Sequence, residues 1–166
     1  MHSVSLHKLD QSHMLLMCNL LNSAHVRMWW PSNKLWTVSD IEKKYFANLN
    51  PVVHRFIAFI GDDPIGYIQW YPFWHGTPFI PTFTKLVGPV AGIDLFIGSP
   101  RNAGKGYGTL MIQRLIADHL LSCFRTCLVD SDLRNIKAIR FFKRLGFQSF
   151  YNTDANRFMF LDLNKY

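Results

Sequence analysis

The sequence predicts a mixed α/β fold with its long helices on the faces of a sheet. Three observations predict it. Short β-rich runs alternate along the chain with amphipathic helical runs. A near-continuous apolar run, VAGIDLFIG (90–98), has the character of a central strand covered on both faces. A glycine-rich turn, NAGKGYGT (102–109), joins that run to a helix-like stretch, LMIQRLIADHLL.

The elements follow in order. VSLHKL (4–9) alternates apolar and polar residues, as a strand does. Residues 11–30 are helical in pattern, with a break near Asn22 or Ser23. Thr37 opens T-x-x-D and Ser39 opens S-x-x-E, two capping-box-like starts. Ile41, Tyr45 and Leu49 then recur on one helix face, and Pro51 ends the helix. HRFIAFI (54–60) and PIGYIQWYPF (64–73) flank Gly-Asp-Asp, a hairpin signal. Prolines and small residues make 74–89 a loop. After the glycine-rich turn, Met111, Ile112, Leu115, Ile116 and Leu120 line one side of a helix from about 107 to 121; Gln113, Arg114 and Asp118 face away. RTCLVD (125–130) is a strand. Asp132 is a candidate cap for a helix over 133–145, closed by Gly146. GFQSFYN and RFMFLDL are closing strands.

Composition narrows the function classes. At 166 residues, 49% hydrophobic and 15% aromatic, the chain can build one core and reads as a single domain, 1–166. Disorder is excluded by that richness. No apolar run approaches the ~18 residues of a membrane span, and the N-terminus lacks a signal-peptide pattern. Cys18, Cys123 and Cys127 are an odd, sparse set, expected to be free thiols in a reducing cytoplasm. No Cys and His spacing suits zinc, so no metal is expected. A net charge of +7 attracts anions, but the basic residues form no dense patch. Nucleic acid, anionic lipid and a phosphorylated cofactor are the classes such a surface attracts; neither nucleic acid nor membrane is expected as a partner.

The glycine-rich turn has a specific chemistry. Converging backbone N–H groups at a helix start bind phosphate, and glycine lets the phosphate approach closely. Lys105 adds a charge. The spacing excludes G-x-x-x-x-G-K-S/T, because no such Lys-Ser/Thr pair follows. G-x-G-x-G also differs from the dinucleotide pattern G-x-G-x-x-G and comes too late in the chain for it.

Ala103-Gly104-Lys105-Gly106-Tyr107-Gly108 resembles the pyrophosphate loop, Q/R-x-x-G-x-G/A, of the GNAT superfamily of acetyl-coenzyme A-dependent N-acetyltransferases. DSDLRNIKAIRFFKRLGF (130–147) resembles that superfamily's later Asn-helix-Gly-Phe segment, and the element order matches its fold. HVRMWW (25–30), DPIGYIQWY (63–71) and GIDLFIG (92–98) extend the likeness to aminoglycoside 6′-N-acetyltransferases.

The resemblance implies a sheet whose two central strands splay apart to admit acetyl-CoA. Its pantetheine arm would pair with backbone near Phe96 and Ile97. Ala103, Gly104, Lys105, Gly106, Tyr107, Gly108 and Thr109 would hold its pyrophosphate. Asn135, Ala138 and Phe142 would flank the cofactor, and one or two of Lys137, Arg140 and Arg144 would meet the 3′-phosphate. Asp94 would be catalytic, removing the proton from the attacking amine. Asp130, Trp29, Trp30 and Gln69 would bind a small-molecule amine, the 6′-amine of an aminoglycoside first among candidates. The protein would act as a monomer or homodimer.

Three departures qualify the likeness. Phe142 stands where many relatives carry a tyrosine that protonates the leaving thiolate, which leaves a weakly active coenzyme-binding protein as an alternative. Ala103 replaces the usual Gln or Arg at the loop start. FWHGTPFIPTFTKLVGP (73–89) contains no acid, and Trp70 and Trp74 add rings around it. An amine less charged than an aminoglycoside, or a siderophore precursor, is the alternative substrate.

Overall fold

Local signals decide where each element begins. The computed structural model describes residues 3–30, 34–47, 50–73, 86 and 88–166. Strand β1 spans Val4–Lys8. Helix α1, Met14–Asn22, stops at Ser23, whose ψ of 129° leaves the helical region, and α2, Ala24–Arg27, starts afresh. The expected break is therefore at Ser23. Asn22 pins it: its amide donates to the Trp36 carbonyl and accepts from the Trp36 N–H, both at 2.8 Å.

Of the two candidate boxes, the chain uses T-x-x-D. The Asp40 N–H donates to Thr37 Oγ1 at 3.1 Å, and the Thr37 N–H donates back to Asp40 Oδ2 at 2.9 Å. Helix α3, Val38–Ile41, starts there and continues as a π-helical turn, Glu42–Ala47. Ile41 and Tyr45 are buried, as their spacing predicts; Leu49 lies outside the described residues.

β2, His54–Ile60, and β3, Asp63–Phe73, are joined at Gly61, which has φ +56°. β4 spans Val90–Ile97. Residues 74–85 and 87 of the expected loop lie outside the described residues. Helix α4, Tyr107–Leu115, widens into a π-helical turn, Ile116–Leu120. All five of its expected core residues are buried.

β5 spans Thr126–Asp132, starting one residue later and ending two residues later than predicted. Helix α5, Ile136–Arg144, starts later than predicted, because Asp132 is not its cap. Asp132 accepts from the Arg134 N–H and from its guanidinium. Asn135 caps the helix instead, its Oδ1 accepting from the Ala138 N–H at 3.1 Å. Gly146, at φ +94°, closes it as expected. β6, Gln148–Asn152, and β7, Asn156–Asp162, finish the sheet.

The result is a mixed α/β fold with strand order β1-β2-β3-β4-β5-β7-β6. β4 and β5 are parallel; β1 with β2, β5 with β7 and β6 with β7 are antiparallel. The chain divides into two compact units: Met1–Gln69 with Leu95–Leu115, and Trp70–Asp94 with Ile116–Tyr166. The first is built on Met17, Leu21, Ile41, Ile57, Tyr67 and Phe96. The second includes a cluster of Leu86, Val90 and Leu128 with four surrounding phenylalanines. No helix among the described residues is long and apolar enough to cross a membrane.

Candidate active site

In the first unit, β4 runs into the glycine-rich turn. Ser99 caps a short 3-10 turn, Pro100–Asn102. Gly104 and Gly106 follow at φ +76° and +83°, conformations that L side chains rarely adopt. No atom lies within 4 Å of a Cβ built at either, so their missing side chains leave open space rather than a packed contact. Among the described residues, the N–H groups of Gly104, Lys105 and Gly106 make no backbone hydrogen bond. Those of Tyr107 and Gly108 open α4 and have no intrahelical acceptor. Ala103 and Thr109, at the ends, donate within the turn, to Pro100 at 3.2 Å and to Gly106 at 3.0 Å. The middle of the turn is thus an open row of donors beside an exposed Lys105, and it suits a pyrophosphate.

The end of β4 is held from several sides. The Phe96 ring is buried, stacked on Tyr67 at 5.5 Å between centroids and edge-on to Trp30 at 4.8 Å. Its carbonyl rises over β3 at Gly66, where any Cβ would collide with it. The Ile97 carbonyl accepts from His25 Nε2 at 2.7 Å. Trp30 donates its indole N–H to Tyr45 Oη at 3.0 Å and packs into the core, whereas Trp29 is 39% exposed. Gln69 is half-buried and accepts from the Tyr67 hydroxyl.

In the second unit, pairing between β4 and β5 covers only Val90–Gly92 against Thr126–Leu128, although both strands continue. Asp94 and Asp130 lie two residues past the last pair, so the pleat puts both carboxyls on the face that Gly92 presents. Tyr71, from β3, covers Gly92 on that face: a Cβ there would sit 2.5 Å from Tyr71 Cζ. The three side chains interact. Burial raises the Tyr71 pKa first, and the charges of Asp94 and Asp130 raise it further. The phenol therefore stays protonated, a neutral group within the electrostatic reach of two carboxylates.

Asp130 is oriented by Asn156, whose Nδ2 donates to Oδ2 at 2.9 Å. The residue is exposed, two positions before the end of β5. The protein around it still strips part of its hydration, which raises its pKa; a bond to its own backbone opposes this. Two carboxylates and a phenol on one face can hold an ammonium and take its proton.

The remaining expected residues sit on α5. Asn135 uses its side chain as the helix cap, and Ala138 is half-buried. Phe142 is buried against Phe141 and Phe147. Lys137, Arg140 and Arg144 are exposed. Trp70 packs edge-on to Phe124, and Trp74 lies outside the described residues. Among the described residues no three His, Cys, Asp or Glu side chains gather as metal ligands.

Sequence reasoning missed Tyr71, Asn156 and His25. Tyr71 had one available signal: Gln69, Tyr71 and Phe73 alternate along one strand face, beside a strand whose Gly92 leaves room for a ring.

A family model described as an acetyltransferase (GNAT) domain matches residues 10–154. Aminoglycoside N(6′)-acetyltransferase type 1 of Klebsiella pneumoniae is 27% identical over 155 residues, covering 88% of this chain and 74% of its own. The crystal structure of aminoglycoside acetyltransferase AAC(6′)-Ib in complex with coenzyme A superposes with a TM-score of 0.74 at 23% identity, covering 96% of this chain and 95% of that one. Spermidine N-acetyltransferase from Vibrio cholerae, in complex with coenzyme A and spermine, gives a TM-score of 0.74 at 17% identity, covering 98% and 97%.

Proposed function

The chain belongs to the GNAT acetyltransferase family, and on that premise we propose that it moves an acetyl group from acetyl-CoA to the 6′-amine of an aminoglycoside. One observation carries the acceptor side: Tyr71, Asp94 and Asp130 share one face where β4 and β5 cease to pair. The 27% identity to the Klebsiella enzyme supports the same reading.

Acetyl-CoA supplies the acetyl group as a thioester. The donors of Gly104–Gly108 and the Lys105 ammonium hold its pyrophosphate. Asp130, oriented by Asn156, holds the cationic acceptor. Asp94 takes the proton from the ammonium, because only the free amine has a lone pair for attack. A C–N bond then forms as the C–S bond breaks. Phe142 has no proton to give, so the thiolate leaves unassisted and is protonated by solvent, consistent with a thiol pKa of about 8.5. Tyr71, neutral on the same face, is available to donate to a carboxylate or to an acceptor hydroxyl.

A second acceptor class has its own observation. The hollow bounded by Phe73, Leu86, Pro89 and Phe124 is mostly apolar, which favours an amine with an apolar body. A panel of kanamycin-like aminoglycosides, polyamines and arylalkylamines, read by thiol release, separates the two. Turnover confined to 6′-amino sugars supports the first reading; turnover confined to apolar amines replaces it.

A further inference from the structure

We propose that His25 is a positioning residue for coenzyme A, acting through the backbone at the end of β4; this rests on the proposed binding of the pyrophosphate by residues 104–108. The break at Ser23 sets two donors two residues apart. Ser23 Oγ donates to the Gly98 carbonyl and His25 Nε2 to the Ile97 carbonyl, each at 2.7 Å. On its other side, the Gly98 N–H donates to the Ile65 carbonyl at 2.8 Å. Leu20 packs so closely on Gly98 that any Cβ there would collide with it. Two consecutive peptide planes are therefore fixed. They lead directly through the Ser99 cap and the turn Pro100–Asn102 into the donors of Gly104–Gly108.

Among the described residues the imidazole makes one hydrogen bond, to the Ile97 carbonyl. A carbonyl can only accept, so Nε2 carries a proton. Nδ1 is buried and has no partner among the described residues. A buried polar nitrogen without a partner is unfavourable, so a position serving packing alone would do better with an apolar ring. The bond to Ile97 is the compensating gain.

Gln places its amide nitrogen near the histidine Nε2 position, whereas Asn reaches only the Nδ1 position. The test compares H25Q, H25N, H25F and S23A by calorimetric binding of coenzyme A and by the KM for each substrate. H25N and H25F are expected to weaken coenzyme A binding and raise the acetyl-CoA KM about fivefold to tenfold. The acceptor KM stays unchanged, H25Q stays within about twofold of wild type, and S23A falls between. A purely structural role would lower the melting temperature and the active fraction but leave the coenzyme A Kd of the folded protein alone. Should H25F not fold, the contrast of H25N with H25Q carries the test. Equal coenzyme A affinity in H25N and wild type, or equal losses in H25N and H25Q, would overturn the inference. Failure of the wild type to bind coenzyme A would instead overturn the reading on which it rests.

Discussion

The glycine-rich turn and the acid–phenol cluster present their polar groups by different means. The turn uses backbone N–H groups supplied by five consecutive residues, with Gly104 and Gly106 at positive φ in open space. The cluster presents side chains from β3, β4 and β5, with Tyr71 packed over Gly92. Backbone donors tolerate many side chains as long as the dihedral angles are right. A side-chain cluster depends on the identity of each member and on the register that brings them together. The two regions should therefore fail differently when altered.

The largest effect is expected at Asp94. Asp94→Asn removes the proton acceptor, and kcat should fall by about 10²–10⁴, while coenzyme A affinity stays at the wild-type value. Steady-state rates with calorimetry on the same preparation check this. Equal loss in kcat and in coenzyme A binding would blur the division between the two regions.

Two glycine substitutions sharpen the comparison next. Gly92→Ala puts a Cβ against the Tyr71 ring, and overpacking of this kind costs about 1–3 kcal/mol. Its acceptor KM should rise and its melting temperature should drop. Gly104→Ala meets no atom but strains the backbone at φ +76°. That costs about 1 kcal/mol, and the expected signature is a raised acetyl-CoA KM with an unchanged acceptor KM. Crossed signatures would contradict the assignment of the two regions.

Asp130 gives a pH signature. Its raised pKa means that it takes up a proton at a higher pH than an ordinary carboxylate. The acceptor KM should therefore climb as the pH falls toward that raised value, and Asp130→Asn should start from a higher KM and lack this acidic rise. The smallest effect belongs to Asp132, outside the cluster. Arg134 donates to it and holds its pKa at about 2. A depressed carboxyl stabilises the fold above its unfolded pKa, near 4, and loses that effect as pH falls through about 2. The gap in stability between wild type and Asp132→Ala, measured by denaturant melts, should close on acidification.

This contrast also explains what the sequence made legible. The turn is local, so spacing alone identified its glycines and excluded two other phosphate motifs. Thr37 with Asp40, and Gly146, were legible for the same reason. Asp94 and Asp130 could be named from the family resemblance, but Tyr71 could not be tied to them. Their meeting depends on pairing between β4 and β5 that ends after Gly92 and Leu128, and no residue type marks that end. Asp132 misled as a helix cap because two candidate Asx residues stand three apart. Arg134 occupies the first and leaves Asn135 to cap. His25 was unreadable because its partner, the Ile97 carbonyl, is a backbone atom 72 positions away.

The central claim is acetyl transfer to an amine held by Asp94 and Asp130. It is tested most directly by thiol release from acetyl-CoA with a kanamycin-like acceptor, with mass spectrometry locating the acetyl group on the product. Saturable turnover at the 6′-nitrogen, lost in Asp94→Asn while coenzyme A still binds, is the result this account predicts. Tight coenzyme A binding by the wild type with no transfer to any amine would contradict it.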